Sequence, residues 1–378
     1  MKHLIFLSLL GAFLLLAACK RNSSNTSKDL KDTLANRVKP LVTLPPEYIT
    51  CDGMANVPNS NDVIMSVPNF SNDTLLKEGK IKKASPAFMA ILTPDDKIRH
   101  WYDFKPGDLN PATGKVGPMD CAFGPDGNLY INDRQYFFNK KHNSRIIRIN
   151  VKNGQPVSME VVVEKLLSCN GMYWKGNTLF VTESVLQLTD TGTVSGVYAY
   201  RLQELNGKKP VQMKAYANNQ GDPHLVVKFT SNKPMKSGAD GIVCDDQGNL
   251  YTTVIEEGAV YKTVLDSNNK PVKTTLFAKN KAMDGTDGII FDARRRCFYQ
   301  VDFTGNAIHR IDMQGQVVTL QRNGDEDGKN GLLDQPAEVV LRGNELIIVN
   351  MDMAWATPGL SVNKTVNLQH YLSKIDLP

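Results

Sequence analysis

The sequence predicts an all-β protein, a six-bladed β-propeller closed by an N-terminal strand. Three observations predict it. A two-strand unit recurs six times, a third strand of alternating pattern follows each unit, and a fourth strand follows the first five units only. A spare strand-like segment, "KPLVTLPP" from Lys39, lies upstream of the first unit and accounts for the strand that the sixth unit lacks.

The units begin "DGMANVPNSNDVIMSV" at Asp52, "DCAFGPDGNLYINDR" at Asp120, "NGMYWKGNTLFVTES" at Asn170, "DGIVCDDQGNLYTTV" at Asp240, "DGIIFDARRRCFYQVD" at Asp287 and "EVVLRGNELIIVNMD" at Glu338. Each opens on a polar residue, runs through an apolar strand and a polar turn, and ends in a second β-rich strand, which is an antiparallel hairpin. Third strands start at Ala87, Arg145, Gly196, Ala259, Ala307 and Tyr371. Fourth strands read "IRHWYDF", "VSMEVVVEKL", "LVVKFT", "VKTTLFAK" and "VVTLQR". The units recur at roughly 50 or 70 residues, enough for four strands per blade with room for loops. A β-sandwich or a pair of smaller β-domains explains the strands but not six units in one phase. No substantial helix is required.

Residues 1–19, "MKHLIFLSLLGAFLLLAAC", place Lys2 and His3 before an apolar stretch from Leu4 to Leu16. That stretch is too short for a dependable membrane span and suits an export signal. Its end, "LAAC", resembles the bacterial lipobox, which implies diacylglycerol on Cys19 and cleavage just before it; the alternative is an ordinary signal peptide with Cys19 incidental. Residues 20–38 are polar, lack aromatic side chains and read as a tether, leaving residues 39–378 as the propeller. The expected location is the bacterial cell envelope, attached to a membrane through the lipid on Cys19. Lys20 and Arg21 bring no acidic residue after the cysteine, so a body facing the periplasm is expected.

The chain has 378 residues, 41% of them hydrophobic, enough to bury a large core. Its formal charge of +5 comes without a long basic run or aromatic-basic interleaving, which argues against nucleic acid as a partner. Five cysteines remain after Cys19, an odd number without CxxC spacing; they read as small buried apolar residues.

In a propeller the first strand of each blade lines the central channel, and the loop between second and third strands rises around the same mouth as the strand's opening residue. Asp52, Asp120, Asn170, Asp240, Asp287 and Glu338 are therefore expected to ring one opening. Two like charges about 6 Å apart at an effective dielectric near 20 repel by roughly 3 kcal/mol. Protons held at raised pKa values or a bound cation must offset that repulsion. A ring offering only oxygen favours a hard ion, calcium or magnesium, over zinc. The alternative, in which each acid only hydrogen-bonds its own turn, applies with equal force to Asp287 and Glu338.

The stretches "CDGMANVP", "CNGMYWKGNTLFVTES" and "ADGIVCDDQGNLYTTV" resemble the senescence marker protein/gluconolactonase family, with a more distant similarity to paraoxonases and strictosidine-synthase-like propellers. The resemblance implies one divalent cation, calcium by preference, held by Asp52, Asn170 and Asp240. It also implies a small lactone or sugar-derived substrate. Two departures stand out. Asp52 is a methylene shorter than the family's Glu, and Met119 precedes Asp120 where the family commonly has Asn-Asp. Asp120 then remains as a ligand or supporting group. A divalent ion would polarise a lactone carbonyl and lower the pKa of bound water. Asp240 is the expected general base, with Asp120 the alternative. No GxSxG stretch suggests a serine nucleophile.

Substrate selection is expected from loops and from Met119. "DRQYFFNKKHN", from Asp133 to Asn143, supplies Tyr136 and His142 as a lid; "SVLQLTDTGTV" from Ser184 lies over the next blade; "MDMAWATPGL" places Trp355 to stack on a ring. Ordinary surface packing explains these loops equally well. His100 and His309 fall in strand patterns and read as structural. "NGDEDGKNGLLD", 323–334, has the spacing of a calcium loop without flanking helices and reads as a connector between the fifth and sixth blades. Two function classes follow: a metal-dependent lactonase or esterase, favoured by Asp52, Asn170 and Asp240, and a non-catalytic sugar- or protein-binding propeller, favoured by Met119.

Overall fold

In the computed structural model, residues 38–353 and 360–378 are described. The leader, Cys19 and Trp355 lie outside the described residues. Six sheets, each with four antiparallel strands, form the blades of a propeller, and the sheet of blade 2 gains a fifth strand. Blade 1 runs Met54–Asn56, Val63–Val67, Phe88–Leu92 and Ile98–Asp103, and blade 2 runs Pro118–Phe123, Leu129–Asp133, Ser144–Lys152 and Gln155–Leu166. Blade 3 follows with Cys169–Lys175, Thr178–Leu188, Thr193–Arg201 and Leu225–Ser231, and blade 4 with Ala239–Cys244, Leu250–Val254, Ala259–Leu265 and Pro271–Lys279. Blade 5 comprises Thr286–Asp292, Cys297–Asp302, Ala307–Asp312 and Val317–Arg322.

Blade 6 has three strands from the end of the chain, Pro336–Arg342, Glu345–Asn350 and Tyr371–Asp376, and takes its fourth from the beginning, Val38–Thr43. The register pairs Val38 with Ile375 and Thr43 with Tyr371, antiparallel, so the closing strand expected from "KPLVTLPP" is in place. Closure pairs the two edges that an open ring of blades would expose.

The unequal repeat spacing has a structural cause. In blade 1 the connection between second and third strands carries the helix Asn72–Lys77, of only six residues. In blade 3 the segment after Arg201 makes a short strand, Val211–Gln212, that pairs in parallel with Val163 and Glu164 of blade 2 before the fourth strand begins. No helix among the described residues is long and apolar enough to cross a membrane.

Apolar side chains from facing blades form the core. Ile64, Met89 and Ile91 of blade 1 pack with Leu129, Ile131 and Ile147 of blade 2, and similar clusters join the later pairs. Cys51, Cys121, Cys169, Cys244 and Cys297 are free and buried, as their reading as small apolar residues requires. His309 is fully buried, facing Asp302 at 3.3 Å and Thr319 Oγ1 at 3.1 Å, a structural role.

Candidate functional site at the channel mouth

The first strands of the blades do not run straight into the channel. In blade 4, Ala239 pairs with Val254 and Ile242 with Thr252, so Asp240 and Gly241 together oppose Thr253. The same two-against-one bulge places Asn170-Gly171 opposite Thr182, Asp287-Gly288 opposite Val301 and Met119-Asp120 opposite Asn132. A bulge turns its residues out of the strand's alternation, and here it turns the opening residue toward the mouth.

In blades 1 and 3 the backbone groups at these positions are satisfied by the polar residues opposite them, Ser66 and Thr182. Gly171 N donates to Thr182 Oγ1 at 2.7 Å, Thr182 Oγ1 donates on to Asp240 O at 2.5 Å, and Gly53 N donates to Ser66 Oγ at 2.9 Å. Buried backbone polar groups need such partners, which explains polar side chains at these inner positions. The glycines are required by crowding between blades rather than by turn geometry. A Cβ on Gly171 would lie 2.4 Å from Asp240 O, and one on Gly241 2.5 Å from Asp287 O.

This register corrects the expected ring. Asp120 occupies the place that Gly171, Gly241 and Gly288 hold in their blades, and Met119 takes the place of the mouth residue. Blade 6 is displaced likewise, with Ala337 at the mouth position and Glu338 one residue further along. Asp52, Met119, Asn170, Asp240 and Asp287 line one cavity of about 420 Å³ at the mouth. Asp120 and Glu338 line a different cavity of about 320 Å³, walled by the continuing first strands. Asp120 accepts hydrogen bonds from Cys121 N and Met172 N, both at 2.7 Å, so its carboxylate ties blade 2 to blade 3 and does not face the mouth cavity.

The structure brings Asp52, Asn170 and Asp240 to one cavity, as expected. Asn170 Nδ2 donates to Asp240 Oδ1, while among the described residues nothing donates to Asn170 Oδ1. Tyr136 and Phe137 reach the cavity from the blade 2 loop, Leu188 from blade 3, and Met351 and Met353 from blade 6. His142 does not reach it: it borders a separate small cavity with Glu183 and Tyr198. In the 323–334 stretch, Asp325 accepts from Lys364 N at 3.1 Å and Asp327 from Lys329 N at 3.0 Å, as in a connector whose acids serve backbone N–H groups.

Residues that sequence reading missed enter from one equivalent position. Arg134, Ile255, Phe303 and Met351 each follow the last residue of a second strand, and all four line the mouth. Arg134 is only 6% exposed, and its guanidinium lies 4.7 Å from the Phe137 ring. The available signal was its position directly after "YIND".

Burial raises the carboxyl pKa values throughout the channel. Asp52 is pushed up to about 8 by burial and then by the charges of Asp120 and Asp240, with Arg134 opposing. Burial also raises Asp240, against the pull of Arg134 and of a hydrogen bond with Asp287. Asp287 is driven far up by burial, by the charges of Asp240 and Asp52, and by that same hydrogen bond.

Among the described residues no three His, Cys, Asp or Glu side chains form a group able to hold a metal ion. A cation at the mouth therefore needs the Asn170 amide oxygen beside Asp52 and Asp240. The open Oδ1 and the all-oxygen donor set fit a hard divalent ion.

Residues 84–270, from just before the third strand of blade 1 into the connection that follows the third strand of blade 4, match the family described as SMP-30/Gluconolactonase/LRE-like region. Among solved structures, a luciferin-regenerating enzyme is 12% identical, covering 90% of this chain and 94% of that one, with a TM-score of 0.56. A calcium-binding regucalcin from Agrobacterium tumefaciens is 11% identical, covering 90% and 93%, with a TM-score of 0.55. A gluconolactonase from Xanthomonas campestris is 12% identical, covering 89% of each chain, with a TM-score of 0.51. At these identities the likeness is one of fold. No curated protein matches the sequence. The chain is thus a six-bladed β-propeller that resembles the SMP-30/gluconolactonase family over residues 84–270.

Proposed function

We propose that the chain hydrolyses a small lactone or ester at the mouth cavity. The observation that carries this reading is the convergence of Asp52, Asn170 and Asp240 on one cavity, with Asn170 hydrogen-bonded to Asp240, in a gluconolactonase-like propeller. Asp52, the Asn170 amide oxygen and Asp240 would hold a divalent cation, calcium by preference. When bound, the ion supplies Lewis acidity to the carbonyl and acidity to the attacking water.

Asp240 is placed to accept the proton of that water. Arg134's charge and the hydrogen bond with Asp287 favour its ionised form despite burial. Asn170 fixes the orientation of the carboxylate. As the ring opens, the proton held on Asp240 passes to the departing alkoxide oxygen. Met119, Ile255, Phe303 and Met351 form apolar walls that limit bulk water around the reacting atoms.

The test is proton release by the full chain on a panel of lactones, in calcium and in chelator, with Asp240→Asn alongside. Turnover that needs the ion and disappears in the variant supports the proposal. No turnover despite a bound ion favours the second reading, a non-catalytic binding propeller, which rests on Met119 standing where blades 1, 3, 4 and 5 present Asp or Asn. We also infer, from the pattern of residues 1–19, attachment to a bacterial envelope membrane through Cys19 and a periplasmic body. Recovery of Cys19→Ser in the membrane fraction with unchanged lipid labelling would refute the anchor.

A further inference from the structure

We propose that the mouth cavity selects a substrate carrying a free carboxylate, and that Arg134 is the residue that binds it. The word substrate rests on the hydrolase reading; the anion site rests on the geometry of Arg134.

Arg134 is anchored through its main chain, its N donating to Gly117 O at 2.8 Å. Its side chain lines the mouth cavity, is 6% exposed, and its Nε is buried without an acceptor. No carboxylate among the described residues lies within ion-pair distance of it. Arg145, equally buried, shows what a structural arginine looks like in this blade: its Nε donates to Asp133 Oδ2 and its second guanidinium nitrogen to Asp108 O, both at 2.6 Å. A buried cation without its anion is costly, and the fold retains this one pointed at a cavity.

Nearby features reinforce the same reading. The Phe137 ring supports one side of the guanidinium at 4.7 Å. Lys140 and Lys236 line the same cavity, so cations gather there without an ion pair between Arg134 and the acids. Asp52 and Asp240 feel the charge of Arg134, but at longer range than an ion pair. A ligand that satisfies both ends presents its carbonyl to Asp240 and Asn170 and its anion to Arg134. A single planar carboxylate suits a guanidinium fork, whereas a phosphate dianion would bring a second charge toward Asp52 and Asp240. The same cavity is lined by Met119, Met235, Met351, Met353 and Ile255, a wall for hydrocarbon and not for a row of hydroxyls.

The experiment compares two matched γ-lactones on the full chain, 5-oxotetrahydrofuran-2-carboxylate and γ-valerolactone, in which methyl replaces the carboxylate. The expected preference in kcat/KM for the charged lactone is about 10- to 100-fold, expressed in KM. Arg134→Gln removes the preference and Arg134→Lys restores part of it; near-UV circular dichroism checks that both variants fold. If neither lactone is hydrolysed, the hydrolase reading fails on its own, and the charged lactone becomes a stable calorimetric ligand. Binding to the wild type that is lost in Arg134→Gln then still supports the anion site. Equal handling of both lactones by the wild type, in turnover and in binding, overturns the proposal, as does a preference that survives Arg134→Gln.

Discussion

Arg145 Nε donates to Asp133 Oδ2 at 2.6 Å, with side-chain exposures of 7% and 0%, and this pair holds the base of the loop that carries Arg134, Tyr136 and Phe137 to the channel mouth. Asp133 also accepts from Gly117 N at 2.7 Å and from Gln135 Nε2 at 2.5 Å, so one carboxylate ties together the entry to blade 2, its second strand and its loop. Removing one member of a buried pair leaves the other charge stranded. Arg145→Met is expected to cost about 3–5 kcal/mol in urea unfolding, and Asp133→Asn combined with Arg145→Met to cost less than the sum of the single changes.

Asp240→Asn separates catalysis from folding. The substitution removes the expected base and is expected to lower lactone turnover by about 10²- to 10⁴-fold. It also removes a buried carboxyl whose pKa burial raises. A raised folded-state pKa means that stability is lost as pH rises through it, so the variant should gain thermal stability relative to wild type from acid toward neutral pH. Scanning calorimetry in chelator reads this without the ion, and a variant less stable than wild type at pH 8 would contradict it.

Crowding between blades predicts a sharp contrast among glycines. Gly241→Ala drives a Cβ to 2.5 Å from Asp287 O, whereas Gly107 has nothing within 4 Å of its Cβ position. The first substitution is expected to destabilise by about 2–4 kcal/mol and the second by less than about 0.5 kcal/mol. Equal unfolding midpoints would show that the blades are not packed backbone to backbone at this level.

A pH dependence should arise at Asp334. Burial, and then the charge of Asp352, push its carboxyl up to about 8, and its Oδ1 is buried without a partner. The folded state therefore binds more protons than the unfolded chain between about pH 4 and 8, and the stability tied to this proton is lost as pH climbs through that window. Asp334→Asn should leave the unfolding free energy nearly unchanged at pH 4 and raise it progressively toward pH 9, by about 1–2 kcal/mol after discounting for relaxation. A gain that is the same at both ends of the range would refute the assignment.

The five body cysteines are free and buried, with thiol pKa values raised by burial at Cys121 and Cys169 among others. Native protein should resist alkylation and show the same Tm with and without reductant. In denaturant, mass spectrometry should find all five labelled; rapid labelling of the folded chain would contradict the packing.

Sequence alone determined the six hairpins, the third and fourth strands, the missing strand of the last blade and its replacement from Lys39 onward. These features are local: strand alternation repeats every second residue, and turn residues mark the ends, so both are written in neighbouring positions. The same reasoning brought Asp52, Asn170 and Asp240 to one mouth, because an Asp-Gly or Asn-Gly pair carries its own phase. Only the tertiary structure decided that Met119, not Asp120, takes the mouth position in blade 2, and that Glu338 falls out of the ring in blade 6. Neither blade has a glycine after the acid, and the phase of a bulge is set by the partner strand it pairs with, not by the strand itself. Tertiary structure alone likewise set His142 away from the mouth and aimed Arg134 into it. Both side chains belong to one loop, and which of them turns inward depends on where Asp133, Arg145 and Phe137 anchor that loop in three dimensions.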